Sequence, residues 1–224
     1  MSQSPTRMDC VAVETKNELK SRLISPNDTG ALGACFGLRY QYFVERRGWV
    51  NRDQCRGKIE SDTYDHHALH IGVWEVEEVT AYLRVLPFDS EVGFMIDREL
   101  SALLSAEERA ALPRDDAVEL SRLVCRDRNS FQEPQNGRHP IEHLFKQFYH
   151  LSLQRSFTIF YIVVETSWLR LFRRRFGLAF RVLGQPHTFP DGTQTVAAVA
   201  TLEELEAGIR AHNPAKFQWY CEPL

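Results

Sequence analysis

Apolar residues fall along the chain in short blocks whose period switches between that of a strand and that of a helix. Residues 10–15 (Cys-Val-Ala-Val-Glu-Thr) suit a first strand. Residues 30–48 then read as a helix, with Phe36, Tyr40 and Phe43 at helical spacing and Gly48 as its stop. Polar residues 51–66 predict a loop, after which 68–75 and 79–86 read as two strands around an acidic turn, a hairpin. Helix is expected over 97–111, with Pro113 as an interruption, and strand over the branched, apolar run 117–125. Residues 126–138, rich in Asp, Asn, Ser, Pro and Gly, predict a loop. Pro140 opens a helix to about residue 155, followed by a very apolar strand over 157–164. A short basic helix, 168–176, ends at Gly177, and strands over 178–183 and 193–200 lead to a final helix, 202–211. Thr201 and Glu204 begin that helix with a capping box.

Strands alternating with helices, antiparallel at first and joined by helical connections later, predict an α/β fold. It is expected as a single domain over residues 1–224, with one mixed central sheet flanked by helices. A chain of 224 residues can bury a sizeable core. The 27 Lys and Arg against 30 Asp and Glu give a net charge of -3, so nothing global points to nucleic acid. The first 24 residues mix charges among apolar positions, unlike a signal peptide, and no apolar run approaches the ~20 residues of a membrane span. A cytoplasmic protein is expected. The cysteines Cys10, Cys35, Cys55, Cys125 and Cys221 are odd in number and widely spaced, which predicts free thiols and no structural metal.

Chemistry concentrates in four places. Arg39 and Phe43 lie four residues apart on one helical face with Trp49 just beyond, and a cation beside two aromatic surfaces can hold a sulfonium or an adenine. Core aromatics with a surface ion pair explain the same residues. Glu60, Asp62 and Asp65 crowd the loop before a strand, where acids can recognise an ammonium or sulfonium, orient arginines, or solvate a loop. The adjacent His66 and His67 lack a defined ligand geometry. Arg84 sits between Leu83 and Val85 in a strand, a charge that is expensive to bury without a carboxylate. The run Ala117–Cys125 holds Glu119, Ser121 and Arg122, and strict alternation points Arg122 away from the other two unless a bulge re-aims it. A buried ion-pair network accounts for all of these charges, and so does an active site.

The ordered set Arg39, Phe43, Trp49, Asp62, Asp65, Arg84 and Glu119-x-Ser121-Arg122 resembles the signature of the acyl-homoserine lactone (autoinducer) synthases. The likeness continues through residues 170–186 (RLFRRRFGLAFRVLGQP), so it covers roughly residues 35–200. It implies a GNAT-like fold and transfer of an acyl group, carried as a thioester on acyl carrier protein or coenzyme A, to the amine of S-adenosylmethionine. Lactone closure then expels methylthioadenosine. S-adenosylmethionine enters as a substrate, and no cofactor is implied. The resemblance casts Glu119, Ser121 and Arg122 as catalytic, with Glu119 as the base, and Arg39, Phe43, Trp49, Asp62, Asp65 and Arg84 as the substrate pocket. Leu123, Phe145, Phe148, Tyr149 and Trp168 are apolar candidates for an acyl slot, where plain core is the competing explanation. Arg155, Arg170, Arg173, Arg174 and Arg175 form a basic group suited to an acidic carrier protein, or to an ordinary solvated helix face.

An N-acyl amino acid synthase of the same fold is the nearest alternative, sharing the acidic loop and the Glu-x-Ser-Arg strand. An acetyl-CoA-dependent N-acetyltransferase would carry a glycine-rich pyrophosphate loop, whereas residues 126–140 hold one glycine, Gly137. A non-catalytic sensor of acylated ligands gives no reason for Glu119 beside the arginines.

Overall fold

The computed structural model describes residues 18–89, 91–126, 139–189 and 192–224. Seven strands form one sheet in the order β1-β2-β3-β4-β5-β7-β6. They are β1 (Leu19–Ile24), β2 (Leu69–Glu75), β3 (Glu78–Pro87), β4 (Ala117–Cys125), β5 (Ile159–Glu165), β6 (Arg181–Thr188) and β7 (Gln194–Thr201). Neighbours run antiparallel except β4 and β5, which are parallel. A parallel pair needs a crossover, and helix α3 (Pro140–Arg155) lies within it. The expected mixed sheet, the 68–86 hairpin, strand 117–125 and the Pro140 helix are all present. The strand expected over 10–15 and nearly all of loop 126–138 lie outside the described residues.

One face of the sheet carries the larger core. Ile71, Leu83, Val85, Val118 and Phe160 meet α3 and, near the chain end, α5 (Leu202–His212) and α6 (Pro214–Cys221). The other face packs against α1 (Thr29–Arg39) and the turns of 93–104, in two separate apolar clusters. The charged residues discussed below sit between those two clusters.

Several expectations need correction. The helix expected over 30–48 is α1 followed by a wider π-helical turn, Tyr40–Arg46, and Gly48 leaves it at φ +64°. Helix 97–111 breaks into single turns, Met95–Asp97 and Ser101–Leu103, and a short α2, Ala106–Ala110. Local capping decides this: Asp97 accepts from the Phe94 amide, and Ser105 with Glu108 starts a fresh helix through a capping box. The basic helix 168–176 becomes α4 (Thr166–Leu171) and a π-helical turn, Phe172–Phe176. The strand expected over 178–183 is displaced to β6. Thr201 and Glu204 do form their capping box, but α5 is not the last helix, because Asn213 caps α6 with Pro214 at its first position. Among the described residues no helix is long and apolar enough to cross a membrane.

Candidate active site

The site grows from a bulge in β4. Tyr82 pairs with Val124 but Arg84 with Ser121, so three steps on β4 face two on β3. Arg122 absorbs the extra residue at φ +55°, the left-handed region that L-residues seldom enter. Core membership shows the outcome: Val118 and Cys125 belong to the α3 side, Ala117 and Val124 to the other. Strict alternation would have sent Arg122 to the α3 side, and the bulge brings it to the face holding Glu119 and Ser121.

Three arginines and three acids close around each other on that face. Asp65 Oδ1 accepts from Arg39 Nη1 at 2.6 Å and from Arg84 Nη1 at 3.0 Å. Asp62 accepts from Arg84 Nη1 at 2.5 Å on one oxygen and from Arg122 Nη2 at 2.8 Å on the other. Glu60 bridges Arg39 Nε and Arg122 Nε, the latter at 3.2 Å. The acidic run can do this because Thr63–His67 is a tight 3-10 turn, in which Asp62 caps Tyr64 and Asp65 reaches back to the Asp62 amide. Arg39 and Arg84 are fully buried, so the surface ion pair that could have explained Arg39 is ruled out. Burial works to raise the Asp65 pKa, but the Arg39 and Arg84 guanidinium groups outweigh it and hold the carboxyl below its ordinary range. The group is electroneutral, and its Asp62 and Arg122 side chains keep some solvent contact while Arg39 Nη2 is buried without a hydrogen bond.

Aromatic residues flank this group. Arg122 lies over the Phe43 ring at 5.4 Å, and Phe43 stacks with the half-exposed Trp49 at 6.1 Å. The predicted set Arg39, Phe43, Trp49, Asp62, Asp65, Arg84, Ser121 and Arg122 is therefore one assembly, in which Ser121 Oγ accepts from Arg84 Nε at 2.9 Å.

Glu119 stands apart from the ion pairs. It is 1 % exposed, and its Oε2 accepts from the Ile96 amide at 3.1 Å. Burial pushes its pKa up to about 7, against the opposing pull of the Ile96 amide and the Arg84 charge. A carboxyl poised near neutrality beside a cationic group is suited to accepting a proton.

The β4–β5 ladder ends at the pair Leu120 and Ile162, although β4 continues to Cys125 and β5 to Glu165. From Ser121 onward the two parallel strands part. Arg47, stacked over Trp49 at 4.1 Å, reaches Glu165 at the far side of that split.

Sequence reasoning missed several members. In the sequence Glu60 is the first acid of the run before β2 and stands outside the expected site set. His70 and Tyr82 support the network from below: His70 Nδ1 is 2.7 Å from the Tyr82 hydroxyl and Nε2 is 2.9 Å from the Asp65 carbonyl. Tyr82 was legible in principle, two residues before Arg84 on the same strand face. His67 pairs with Asp89 at 3.3 Å and His66 is exposed. Of the acyl-slot candidates, Phe145, Phe148 and Tyr149 line an apolar cavity on the α3 side, whereas Leu123 and Trp168 pack on the same core outside that lining. Arg155, Arg170, Arg173 and Arg174 are exposed and Arg175 is half-buried. Cys35, Cys55 and Cys221 are free thiols.

A family model described as an acetyltransferase (GNAT) domain matches residues 38–132. A search of curated proteins by sequence returns no match. Among solved structures, the AHL synthase LasI superposes with TM-score 0.71 at 21% identity, over 88% of this chain and 96% of its own. This is the GNAT acyltransferase fold. A CoA-dependent acyl-homoserine lactone synthase, BjaI, solved with SAM and isopentyl-CoA, gives TM-score 0.66 at 20% identity, over 89% of this chain and 90% of its own. FeeM, an N-acyl amino acid synthase from uncultured soil microbes, gives 0.58 at 15% identity, over 87% and 96%. The GNAT sheet thus extends well beyond the segment matched by the family model.

Proposed function

We propose that this protein is an acyl-homoserine lactone synthase: it transfers an acyl group from a thioester to the amine of S-adenosylmethionine and releases N-acyl-homoserine lactone, the thiol and methylthioadenosine. The observation that carries the reading is the closed group of Arg39, Arg84 and Arg122 with Glu60, Asp62 and Asp65, set beside Phe43 and Trp49 at the split between β4 and β5. It is the arrangement that a zwitterionic sulfonium substrate asks for, with charges of both signs fixed in place and aromatic faces for the sulfonium and adenine.

The thioester carbonyl lies in the split, where β4 amides freed from β5 hold the oxyanion. Glu119 takes the ammonium proton, through a water because its carboxylate is buried, and the free amine attacks the carbonyl. The tetrahedral intermediate collapses with loss of the thiol. The methionine carboxylate then attacks the carbon next to the sulfonium, closing the lactone as the C–S bond breaks and methylthioadenosine leaves. Asp62, Asp65, Arg39 and Arg84 orient the substrate for both steps, and Phe145, Phe148 and Tyr149 contribute to the acyl slot.

Both AHL synthase structures superpose better than FeeM, and the Arg39, Phe43 and Trp49 cluster favours the sulfonium substrate over a free amino acid. The single glycine of residues 126–140, Gly137, argues against an acetyl-CoA enzyme with a pyrophosphate loop. Acyl carrier protein would dock on the exposed Arg170, Arg173 and Arg174, joined by Arg155 and Arg175. Incubating pure protein with S-adenosylmethionine and acyl thioesters on carrier protein and on coenzyme A tests the reading. Methylthioadenosine and a product of lactone mass are expected; a linear acyl amino acid without methylthioadenosine would overturn it in favour of the alternative.

A further inference from the structure

The amide that the Glu119 carboxylate accepts from belongs to one short turn, Met95–Asp97, a single turn of 3-10 helix. Asp97 opens it on the Phe94 amide, and the Arg98 and Leu100 amides close it on the Met95 carbonyl at 3.1 and 2.9 Å. Side-chain tethers fix where it lies. Arg84 Nη2 donates to Met95 Sδ at 2.9 Å, Arg114 Nη2 donates to Asp97 Oδ1 at 2.9 Å, and the Tyr64 hydroxyl donates to Glu99 just past the turn. We propose that Tyr64 and Glu99 are positioning residues for Glu119: their hydrogen bond holds the Ile96 amide on the carboxylate and so sets the pH at which that group can take a proton from the substrate. The proposal rests on the acyl-transfer reading above and deepens it by adding two residues to the step in which the amine is deprotonated.

Tyr64 is well placed for this. It belongs to the tight turn Thr63–His67, between Asp62 and Asp65, so whatever it grips is aligned with the acids of the ion-pair group. Its ring is buried in one apolar cluster with Leu86, Phe94, Met95 and Ile96, and Arg84 lies over it at 5.6 Å. Burial and the adjoining Glu99 carboxylate push the hydroxyl up, so it stays protonated and donates. Glu99 is exposed, and fixing an exposed glutamate on a buried hydroxyl costs it rotamer freedom. Removing that tether leaves the core closed.

The groups facing Glu119 give the sign of the effect. Burial raises its pKa; the Ile96 amide and then the Arg84 guanidinium from β3 pull it back, while Asp97, paired with Arg114, pushes it up. Tyr64, from the turn before β2, feels the Glu119 charge as an un-ionised hydroxyl. A hydrogen bond to the charged form favours that form. Freeing the turn weakens the 3.1 Å contact from the Ile96 amide, disfavours the carboxylate and moves its titration to higher pH.

The test follows kcat/KM by methylthioadenosine release from about pH 5.5 to about 9 in the parent, Tyr64→Phe, Glu99→Ala and Glu99→Gln, with a carboxyl NMR titration of Glu119 in each. Tyr64→Phe and Glu99→Ala should move the rising limb and the NMR titration up by about half to one pH unit, lowering kcat/KM about 3- to 10-fold below the limb. The plateau and the KM for S-adenosylmethionine should stay within about 2-fold, which separates positioning of the base from loss of the pocket. Glu99→Gln, whose amide oxygen still accepts from Tyr64, should keep the parent limb. An unmoved limb in folded Tyr64→Phe and Glu99→Ala overturns the proposal. So does a limb that moves as far in Glu99→Gln as in Glu99→Ala, because it traces the effect to the Glu99 charge. If the parent releases no methylthioadenosine with any acyl donor, the acyl-transfer reading fails, and the NMR titration still decides whether this pair positions Glu119.

Discussion

Arg39 Nη1 donates to Asp65 Oδ1 at 2.6 Å, joining the end of α1 to the turn before β2 in a place that solvent barely reaches. The two charges can be buried only together, because either one left alone in that interior would lack compensation. Arg84 shares the same oxygen at 3.0 Å, so Asp65 is the common anchor of two buried guanidinium groups. This makes the pocket a rigid part of the fold and ties its stability to its chemistry.

Asp65→Asn should therefore destabilise the protein by about 3–5 kcal/mol at pH 7, the usual effect of removing one partner of a buried pair. Because the folded-state pKa of Asp65 is depressed, its stabilisation is present above the ordinary carboxylate pKa and is lost as pH falls through the lowered value. Denaturant titrations should show the gap between parent and variant at neutral pH and its closure in strong acid. A variant as stable as the parent at pH 7 contradicts the anchoring role.

Trp49 is 42 % exposed, with ring contacts to Tyr42 and Phe43 and the Arg47 guanidinium over it, so its removal leaves the buried core in place. Trp49→Ala should raise KM for S-adenosylmethionine several-fold to about 30-fold, the range expected for losing an aromatic face against a cation. The melting temperature and the KM for the acyl donor should barely move. A rise confined to the acyl-donor KM would remove Trp49 from the pocket proposed for S-adenosylmethionine.

The hairpin, strand 117–125 and the helix after Pro140 were legible because their signals are local: period, branching and a proline at a helix start; β1, Leu19–Ile24, was not, because its charged and polar residues break any clear period. The membership of the charged group was legible only in part. Arg39, Asp62, Asp65, Arg84 and Arg122 stand out as charges in apolar or acidic settings, whereas His70 and Tyr82 look like ordinary strand residues until the β2–β3 register brings them beneath Asp65. Arg122 is the instructive case. Alternation gives the wrong face, and only the pairing of β3 with β4, a long-range fact, shows the bulge that corrects it. Residues 97–111 failed for the opposite reason: helix propensity summed over the window hid the caps at Asp97 and Ser105.

Gly208 lies within α5, where exchange for alanine would ordinarily gain about 1 kcal/mol of helix propensity. Here an added Cβ would overlap the carbonyl oxygen of Gly177, which is backbone and holds φ +72° at the end of the π-helical turn. Overpacking of this kind commonly costs about 1–3 kcal/mol, which exceeds the gain, so Gly208→Ala should lower stability. Since α5 also lines the cavity proposed as the acyl slot, the variant should lose acyl transfer as well. Thermal melts that rise for Gly208→Ala would show that the two backbones separate freely.

Glu119 supplies the last prediction, with a sign opposite to that of Asp65. Its burial raises the folded-state pKa from 4.5 to about 7. The stability it contributes is therefore fully present below the unfolded value and lost as pH rises through about 7. Glu119→Gln, which cannot ionise, should gain stability relative to the parent at pH 8 and show no such gain at pH 4.5. Activity should move the other way, because the role proposed for Glu119, that of a base, needs it ionised. In the parent, kcat/KM should climb tenfold per pH unit up to about 7 and then level. In Glu119→Gln it should be about 10²-fold lower with that limb gone. Methylthioadenosine release followed across pH, with thermal melts at both extremes, separates the two roles. If the limb persists in a folded Glu119→Gln protein, the titrating group lies elsewhere and the carboxylate serves to hold the Ile96 amide and the turn it begins.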